Sequence, residues 1–348
     1  MKKFGVFSGF LGAGKTTALI ALTEYCSAHG LPAAMISNDL GGSGLADHRF
    51  ALLNGAKAEE ITGNCICYVP DRLTETLDRF FTAGCQLVLS DIPGFGVGAL
   101  EHVYHGLHEN HPGRYALAPF TVLIEPRTVE VLRCGGEEPA YILNTQLREA
   151  DLIVLNKLDL LSEAERQEAE AFLRAEYPEA RFLGISARSG EGLPALAEAL
   201  AGTEASLRRP DIGYGGEAFH AAMDGVFEYE QQYHVTVCCD SFDGTAYLTA
   251  LAEAVQQAVR AIPHGLIPHL KLLAWTAEGD WGKVDLLGTD RPPELTRPFS
   301  GPCTELAVVL NASAFCPGEA LENLMEAAAE QVSAAFQLER AVFRRQLI

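Results

Sequence analysis

A glycine-rich turn set between an apolar run and a helical pattern constrains this chain more than any other stretch. Phe4 to Thr17 reads Phe-Gly-Val-Phe-Ser-Gly-Phe-Leu-Gly-Ala-Gly-Lys-Thr-Thr and contains Gly9-x-x-x-x-Gly14-Lys15-Thr16, the full phosphate-loop pattern. Phe4 to Phe7 predicts a buried strand, and Thr16 to Tyr25 the helix behind it. Such a loop turns its backbone N–H groups toward one point, and the helix dipole adds to the pull on an anion. Gly9, Gly12, Ala13, Gly14, Lys15, Thr16 and Thr17 are therefore the candidate ligands of a nucleoside triphosphate. Lys15 would reach the β- and γ-phosphates, and the Thr16 hydroxyl would sit on Mg²⁺.

Downstream, Pro32 to Ser37, Gln86 to Ser90, Phe120 to Ile124, Leu152 to Leu155 and Arg181 to Ile185 are short strand-type runs. Asp71 to Phe81 and Ser162 to Tyr177 carry helical periodicity between them. Alternation of this kind predicts an α/β fold, a P-loop NTPase with a doubly wound, mostly parallel sheet and ligands at the strand C-termini. That domain should occupy residues 1–202. A linker follows at 203–220, where Arg-Arg-Pro-Asp and Tyr-Gly-Gly break the pattern. Residues 221–348 then predict a smaller α+β domain. Its strands are His234 to Cys239, Leu270 to Thr276, Gly282 to Leu287 and Glu305 to Ala312; its helices are Ala246 to Ala261 and Leu321 to Phe336.

Three further strand ends speak to the nucleotide. Asn156-Lys157-Leu158-Asp159 follows the strand ending at Leu155, and Asp159 can accept hydrogen bonds from N1 and the exocyclic amine of guanine. Adenine offers no such donor pair, so the wrong base would leave a carboxylate unpaired. Ser186-Ala187-Arg188 comes after the next strand, placed for the O6 edge. Asp91-x-x-Gly94 completes the set, with a carboxylate for a Mg²⁺ water and an N–H for the γ-phosphate. GTP is the expected substrate, with Lys15, Thr16, Asp91 and Gly94 in the hydrolytic machinery. No glutamine or arginine can be assigned to orienting the attacking water. Turnover should therefore be slow unless a partner, or pairing into a homodimer, completes the site.

Composition narrows the setting. A formal net charge of -20 over 348 residues argues against a nucleic-acid partner, whose phosphates would be repelled. No apolar stretch reaches membrane-spanning length, and Met1-Lys2-Lys3 runs into the first strand with no room for a signal peptide. Nine cysteines, spread along the chain, read as thiols of a reducing compartment. The expectation is a cytoplasmic protein.

Gly9 to Thr17 resembles the signature of the CobW-type P-loop GTPases, relatives of the urease and hydrogenase nickel-insertion GTPases. The likeness extends through Asn38-Asp39-x-Gly41, Gly63-Asn64-Cys65-Ile66-Cys67 and Asn156-Lys157-x-Asp159. It covers the first two hundred residues well and the C-terminal part in outline. The resemblance implies slow GTP hydrolysis coupled to delivery of a metal ion, Zn²⁺ or Co²⁺, to a client metalloprotein, or to work on a cobalamin (corrinoid) protein.

Members of that family carry Cys-x-Cys-Cys in the loop before the helix after strand two, where this chain has Cys65-Ile66-Cys67-Tyr68. Two thiolates one residue apart can face a borderline ion but cannot complete a tetrahedral site. Asp39 stands where the family has a glutamate and is the candidate third ligand, while Gly42 replaces a second acidic residue. Against the metal reading stands a plain one, in which Cys65 and Cys67 are part-buried residues of a switch loop. A second candidate is the run His102, His105, His108, His111, set against a solvated His-rich helix. Three-residue spacing drifts round an α-helix, so neighbouring pairs share a face and all four do not. Cys26, Cys85, Cys134, Cys303 and Cys316 lack ligand-like neighbours and read as packing residues. Cys238 and Cys239 alternate across a strand, and His264 and His269 read as structural. Two rivals to metal delivery stay open: a GTP-dependent chaperone of a cobalamin enzyme with no metal of its own, and a passive metal-binding protein.

Overall fold

Both faces of a parallel sheet are covered by helices, so its central strands are mostly apolar, and Lys3–Ser8, strand β1, is buried at every residue. The computed structural model describes residues 2–41, 46–134, 138–213, 215–217, 220, 226–237, 240–262, 266–315 and 317–347. It divides into two compact units, Met1–Ser43 with Asp47–Met223, and Gly44–Ala46 with Asp224–Ile348.

In the first unit β1 is followed by α1 (Lys15–Ala28), β2 (Ala33–Asp39), α2 (Ala46–Leu53), β3 (Ala58–Thr62), α3 (Pro70–Thr82) and β4 (Leu87–Asp91). Then come α4 (Gly106–Asn110), β5 (Ala116–Leu117), β6 (Thr121–Ile124), α5 (Pro126–Cys134) and α6 (Glu138–Glu149). The unit continues with β7 (Leu152–Leu155), α7 (Glu163–Glu176), β8 (Arg181–Gly184) and α8 (Leu193–Gly202). The strand order is β3-β2-β4-β1-β6-β7-β8, with β5 also on β1, and every described pair is parallel. The order reverses at β1, so the phosphate loop leaves the sheet at the switch point where such folds bind ligands. Helix α3 shows how sequence sets the packing: Leu73, Leu77, Phe80 and Phe81 form one buried stripe. Helix α7 begins where its chemistry requires, at a capping box made by Ser162 and Glu165.

The expected P-loop NTPase fold is present, with two local differences. The Cys65–Cys67 stretch stands before α3, as expected, but an additional edge strand, β3, lies between it and strand two. The stretch read as a linker has no helix or strand from Thr203 to Gly213, yet its first part is fastened down. Ala205 N–H donates to Leu117 O at 2.9 Å, and Arg209 pairs with Glu101 and Glu109.

The second unit contains β9 (Val226–Val237), α9 (Gly244–Arg260), β10 (Leu266–Trp275), β11 (Trp281–Leu286), β12 (Glu294–Arg297), β13 (Glu305–Phe315), α10 (Gly318–Ala335) and β14 (Leu338–Leu347). Its sheet runs β12-β11-β10-β13-β9-β14 and is antiparallel throughout. This is the expected α+β architecture, enlarged by β12 and β14, two largely exposed strands whose residues show no inside–outside alternation. Tyr247 Oη lies 3.1 Å from both Tyr233 Oη and Ser333 Oγ, tying α9, the sheet and α10 through one buried cluster.

Cys26, Cys85 and Cys303 are buried free thiols, as packing residues should be. His269 Nε2 sits 3.4 Å from Asp285 Oδ1, and burial pulls its pKa down to about 4, which fits a structural histidine. Gly42, Cys238, Cys239, His264, Cys316 and the side chain of Cys134 lie outside the described residues. Among the described residues no helix is long and apolar enough to cross a membrane.

Candidate functional site

The loop after β1 folds as its glycines dictate. Gly9, Gly12 and Gly14 take φ of 135°, 80° and 85°, values that only glycine adopts freely. At Gly14 a second constraint acts, because an added Cβ would lie 2.6 Å from Asn156 Nδ2. That amide is a hub. Asn156 Nδ2 donates to Ala13 O at 2.9 Å, while its Oδ1 accepts from Ala187 N–H at 3.1 Å. One buried side chain thus ties the phosphate loop to the two segments proposed for the base. Leaving either partner unmade would cost about 1–3 kcal/mol.

Lys15 Nζ donates to Gly9 O at 2.6 Å, so the ammonium spans the mouth of the loop. Thr16 is buried in the first turn of α1, and Thr17 is exposed. At the other end Ser186, fully buried, donates its hydroxyl to Asp159 Oδ1 at 2.6 Å. Lys157 adopts φ of 63° and its Nζ pairs with Glu125 Oε2 at 2.6 Å. Glu125, directly after β6, was not singled out in the sequence, although a carboxylate at a strand end was the signal to follow.

Phe7 of β1 lies opposite Asp91 of β4, which brings the carboxylate to the same sheet edge as the loop. Asp91 Oδ1 accepts from Asn38 N–H at 2.7 Å. The Asn38 side chain turns the other way: Nδ2 donates to Ile61 O and Asn64 O, and Oδ1 accepts from Ile66 N–H at 2.9 Å. Asn38 is therefore a bridge from Asp91 to the cysteine loop. Cys65 and Cys67 flank Ile66 with their sulfurs 2.9 Å apart. The hydrogen bond between the two thiols lowers the pKa of Cys65 and, with burial, raises that of Cys67.

Asp39 is engaged locally, its Oδ1 accepting from Gly41 N–H at 3.3 Å. Among the described residues no three His, Cys, Asp or Glu side chains are grouped to hold a metal ion, so Asp39 is not gathered with the two thiols. The histidines are separated too. Leu100–His105 forms a π-helical turn and Gly106–Asn110 continues it as α4. His105 is buried against Arg208 O, His102 packs by Tyr68, and His111 lies beside Tyr115. The Tyr104 hydroxyl, from the same turn, accepts from Val6 N–H at 2.8 Å in β1.

The segment after Asp91 is held from two sides. On one side Gly94 lies under Leu11, and an added Cβ would stand 2.5 Å from Leu11 Cδ2; Phe10 meets Phe95 edge-on at 5.4 Å. On the other, Gln146 Nε2 donates to Gly94 O and Gly96 O at 3.0 Å each. Glu149 accepts from Gly98 N–H at 2.7 Å and Leu100 N–H at 3.2 Å. The sequence predicts no helix over α6, because the polar residues Thr145, Gln146 and Glu149 on its buried face disguise the stripe.

Burial pushes the Glu149 carboxyl up to about 7 from an ordinary 4.5, against the two backbone N–H groups and Arg208, which pull it down. Below pH 4.5 the proton is held in folded and unfolded chain alike. Above it the folded chain keeps a proton that the unfolded chain has released, so stability falls as pH rises toward 7. The loss amounts to about 3 kcal/mol. Glu149→Gln should flatten this trend, measured as urea unfolding free energies of variant and wild type at pH 5 and pH 8. Equal slopes in the two proteins would show that Glu149 is not the titrating group.

The family model for the CobW/HypB/UreG nucleotide-binding domain matches residues 4–183, just over half of the 348 residues. Among solved structures, HypB from Archaeoglobus fulgidus is similar at 20% identity, covering 57% of this chain and 88% of that one, with a TM-score of 0.39. HypB from Helicobacter pylori in complex with nickel gives 16% identity, 57% and 85% coverage, and a TM-score of 0.42. The Zn(II)-bound YjiA GTPase from E. coli gives 16% identity, 94% and 98% coverage, and a TM-score of 0.36. With the family model spanning the phosphate loop, Asp91, the cysteine loop and Asn156 to Asp159, this chain belongs to the CobW/HypB/UreG family of P-loop GTPases.

Proposed function

We propose that the protein hydrolyses GTP and couples the cycle to delivery of a metal ion, Zn²⁺ or Co²⁺, to a client metalloprotein. The observation that carries this reading is the Asn38 bridge. One residue joins the Asp91 carboxylate, through its backbone N–H, to the peptide between Cys65 and Cys67, through its side chain. A shift of Asp91 on loss of the γ-phosphate would be felt at the thiols.

In this reading Asp159 selects guanine, with Ser186 and Ala187 beside it. Lys15 and the N–H groups of Gly12 to Thr17 neutralise charge on the transferring phosphoryl, and Gly94 N–H reads the γ-phosphate. Asp91 and Thr16 supply the hard oxygen donors that Mg²⁺ requires, and the ion adds positive charge at the phosphates when bound. The cargo ion is met by Cys65 and Cys67, with Asp39 drawn in by movement of its loop. Residues 1–202 act as the GTPase domain, and residues 221–348, beyond the linker at 203–220, present the client surface.

Titrating metal-free protein with Zn²⁺ and Co²⁺, with and without a non-hydrolysable GTP analogue, tests the coupling. Affinity should differ at least about tenfold between nucleotide states and vanish in the Cys65→Ser, Cys67→Ser double variant. A second reading is favoured by Tyr68, which stands 57% exposed in the place of the third cysteine. There the chain is a GTP-dependent chaperone of a cobalamin protein and holds no metal. Wild type that binds no more metal than the double variant in either nucleotide state would select it. A passive metal-binding role predicts instead that Lys15→Ala leaves metal release unchanged.

A further inference from the structure

Gln146 and Glu149 stand one turn apart on α6, and both side chains are buried, at 1% and 2% exposure. Polar groups are taken out of water only where they meet partners, and the partners here all belong to one short segment. Four hydrogen bonds run from the pair to the backbone at Gly94, Gly96, Gly98 and Leu100. Every second residue of the chain after Asp91-x-x-Gly94 is thus held by α6. With both Gly94 O and Gly96 O on one amide nitrogen, the chain between them cannot turn over without breaking both bonds. The opposite side of the segment meets the phosphate loop, through Leu11 over Gly94 and Phe10 against Phe95. The approach is close enough that a side chain at position 94 would have no room on the Leu11 side.

The same helix leads straight into β7 and so to Asn156 and Asp159. Its end is pinned by Arg208, which donates to Ala150 O and faces Asp151 and Glu149. Among the described residues the buried Gln146 Oε1 meets no hydrogen-bond partner. Orientation of this amide is settled by the two carbonyls it serves, at the expense of its own oxygen. A residue kept only for packing would be replaced at less cost by an apolar one of the same volume.

We propose that Gln146 and Glu149 are positioning residues for GTP hydrolysis: from α6 they latch residues 94–100 so that Gly94 N–H is held ready for the γ-phosphate. The inference rests on the GTPase reading above and adds to it the residues that set the geometry of its γ-phosphate sensor. Neither side chain touches the nucleotide in this scheme, so losing the latch should lower kcat and leave nucleotide affinity alone.

Near-isosteric variants keep the core filled: Gln146→Met, Glu149→Gln and the pair together. Three quantities are read on full-length protein: GTP turnover as kcat and KM, affinity for a fluorescent GTP analogue, and amide hydrogen exchange at Gly98 and Leu100. Loss of one bond to a buried carboxylate should speed exchange at those amides about tenfold in Glu149→Gln. The expected kinetic result is a fall in kcat of about tenfold in each single variant, with KM and analogue affinity within about twofold of wild type. Glu149→Ala should be worse than Glu149→Gln, since the glutamine carbonyl restores one acceptor. Faster exchange with kcat unchanged or raised would overturn the positioning role. So would unchanged exchange at Gly98 and Leu100. Wild type that neither binds nor hydrolyses GTP would overturn the GTPase reading itself and the catalytic half of this inference with it. The exchange rates would still decide whether the latch exists.

Discussion

Lys15→Ala should remove GTP hydrolysis while leaving the protein folded. The ammonium sits at the mouth of the loop, 2.6 Å from Gly9 O, on the first residue of α1. No other cation is placed there by the loop sequence, and the charge that develops on a transferring phosphoryl must be met within the site. Removing one such preorganised donor lowers kcat by about a thousandfold. The structural cost is small by comparison. The variant gives up the bonds from Nζ to the carbonyls of Gly9 at 2.6 Å and Phe10 at 3.4 Å, which together contribute about 1 kcal/mol. That corresponds to a fall of about 2–4 °C in Tm. Phosphate release under single-turnover conditions, beside a thermal melt, separates the two effects. A variant that hydrolyses GTP at the wild-type rate would mean that the phosphate-loop lysine carries no catalysis here.

How much of this site could be read from residues alone depended on whether each function needs a local pattern. The phosphate loop does, because its shape is made by glycines at fixed spacing, and Gly9, Gly12 and Gly14 have the backbone angles that spacing implies. The parallel sheet was legible for a related reason: strands buried on both faces are apolar runs, as in Leu152–Leu155. What failed were elements whose partners lie far away in sequence. Helix α6 hides Gln146 and Glu149 on its buried face because their partners are backbone groups about fifty residues upstream. No periodicity rule can tell a buried glutamine from a solvated one. Asn38 was visible as part of a motif, but its work as a bridge is set by the β2–β4 neighbourhood, which only the fold creates. Strand β14 failed in the opposite way. Six of its ten residues are exposed, Val342 and Phe343 among them, so its apolar residues do not follow a burial pattern.

Asp159→Asn should exchange guanine for xanthine. Two acceptors on one carboxylate suit the N1–H and exocyclic amine of guanine, and Ser186 fixes how the carboxylate is turned. Its hydroxyl donates to Asp159 Oδ1 at 2.6 Å, and Ser186 is itself buried. An asparagine in the same rotamer would keep its oxygen on Ser186 and turn its NH₂ toward the base. Against guanine that sets donor against donor, and affinity for GTP should fall about a hundredfold or more. Xanthine carries a carbonyl where guanine carries the amine, so the same NH₂ now finds an acceptor. Xanthosine triphosphate should therefore bind the variant more tightly than GTP does, reversing the wild-type order. Ser186→Ala should weaken the reversal, because the freed amide could turn over. Competition of both triphosphates against one fluorescent analogue gives the ratio directly. A loss of GTP affinity without the gain for xanthosine triphosphate would indicate damage to the loop and not base recognition. An unchanged ratio would place the guanine contact on some residue other than Asp159.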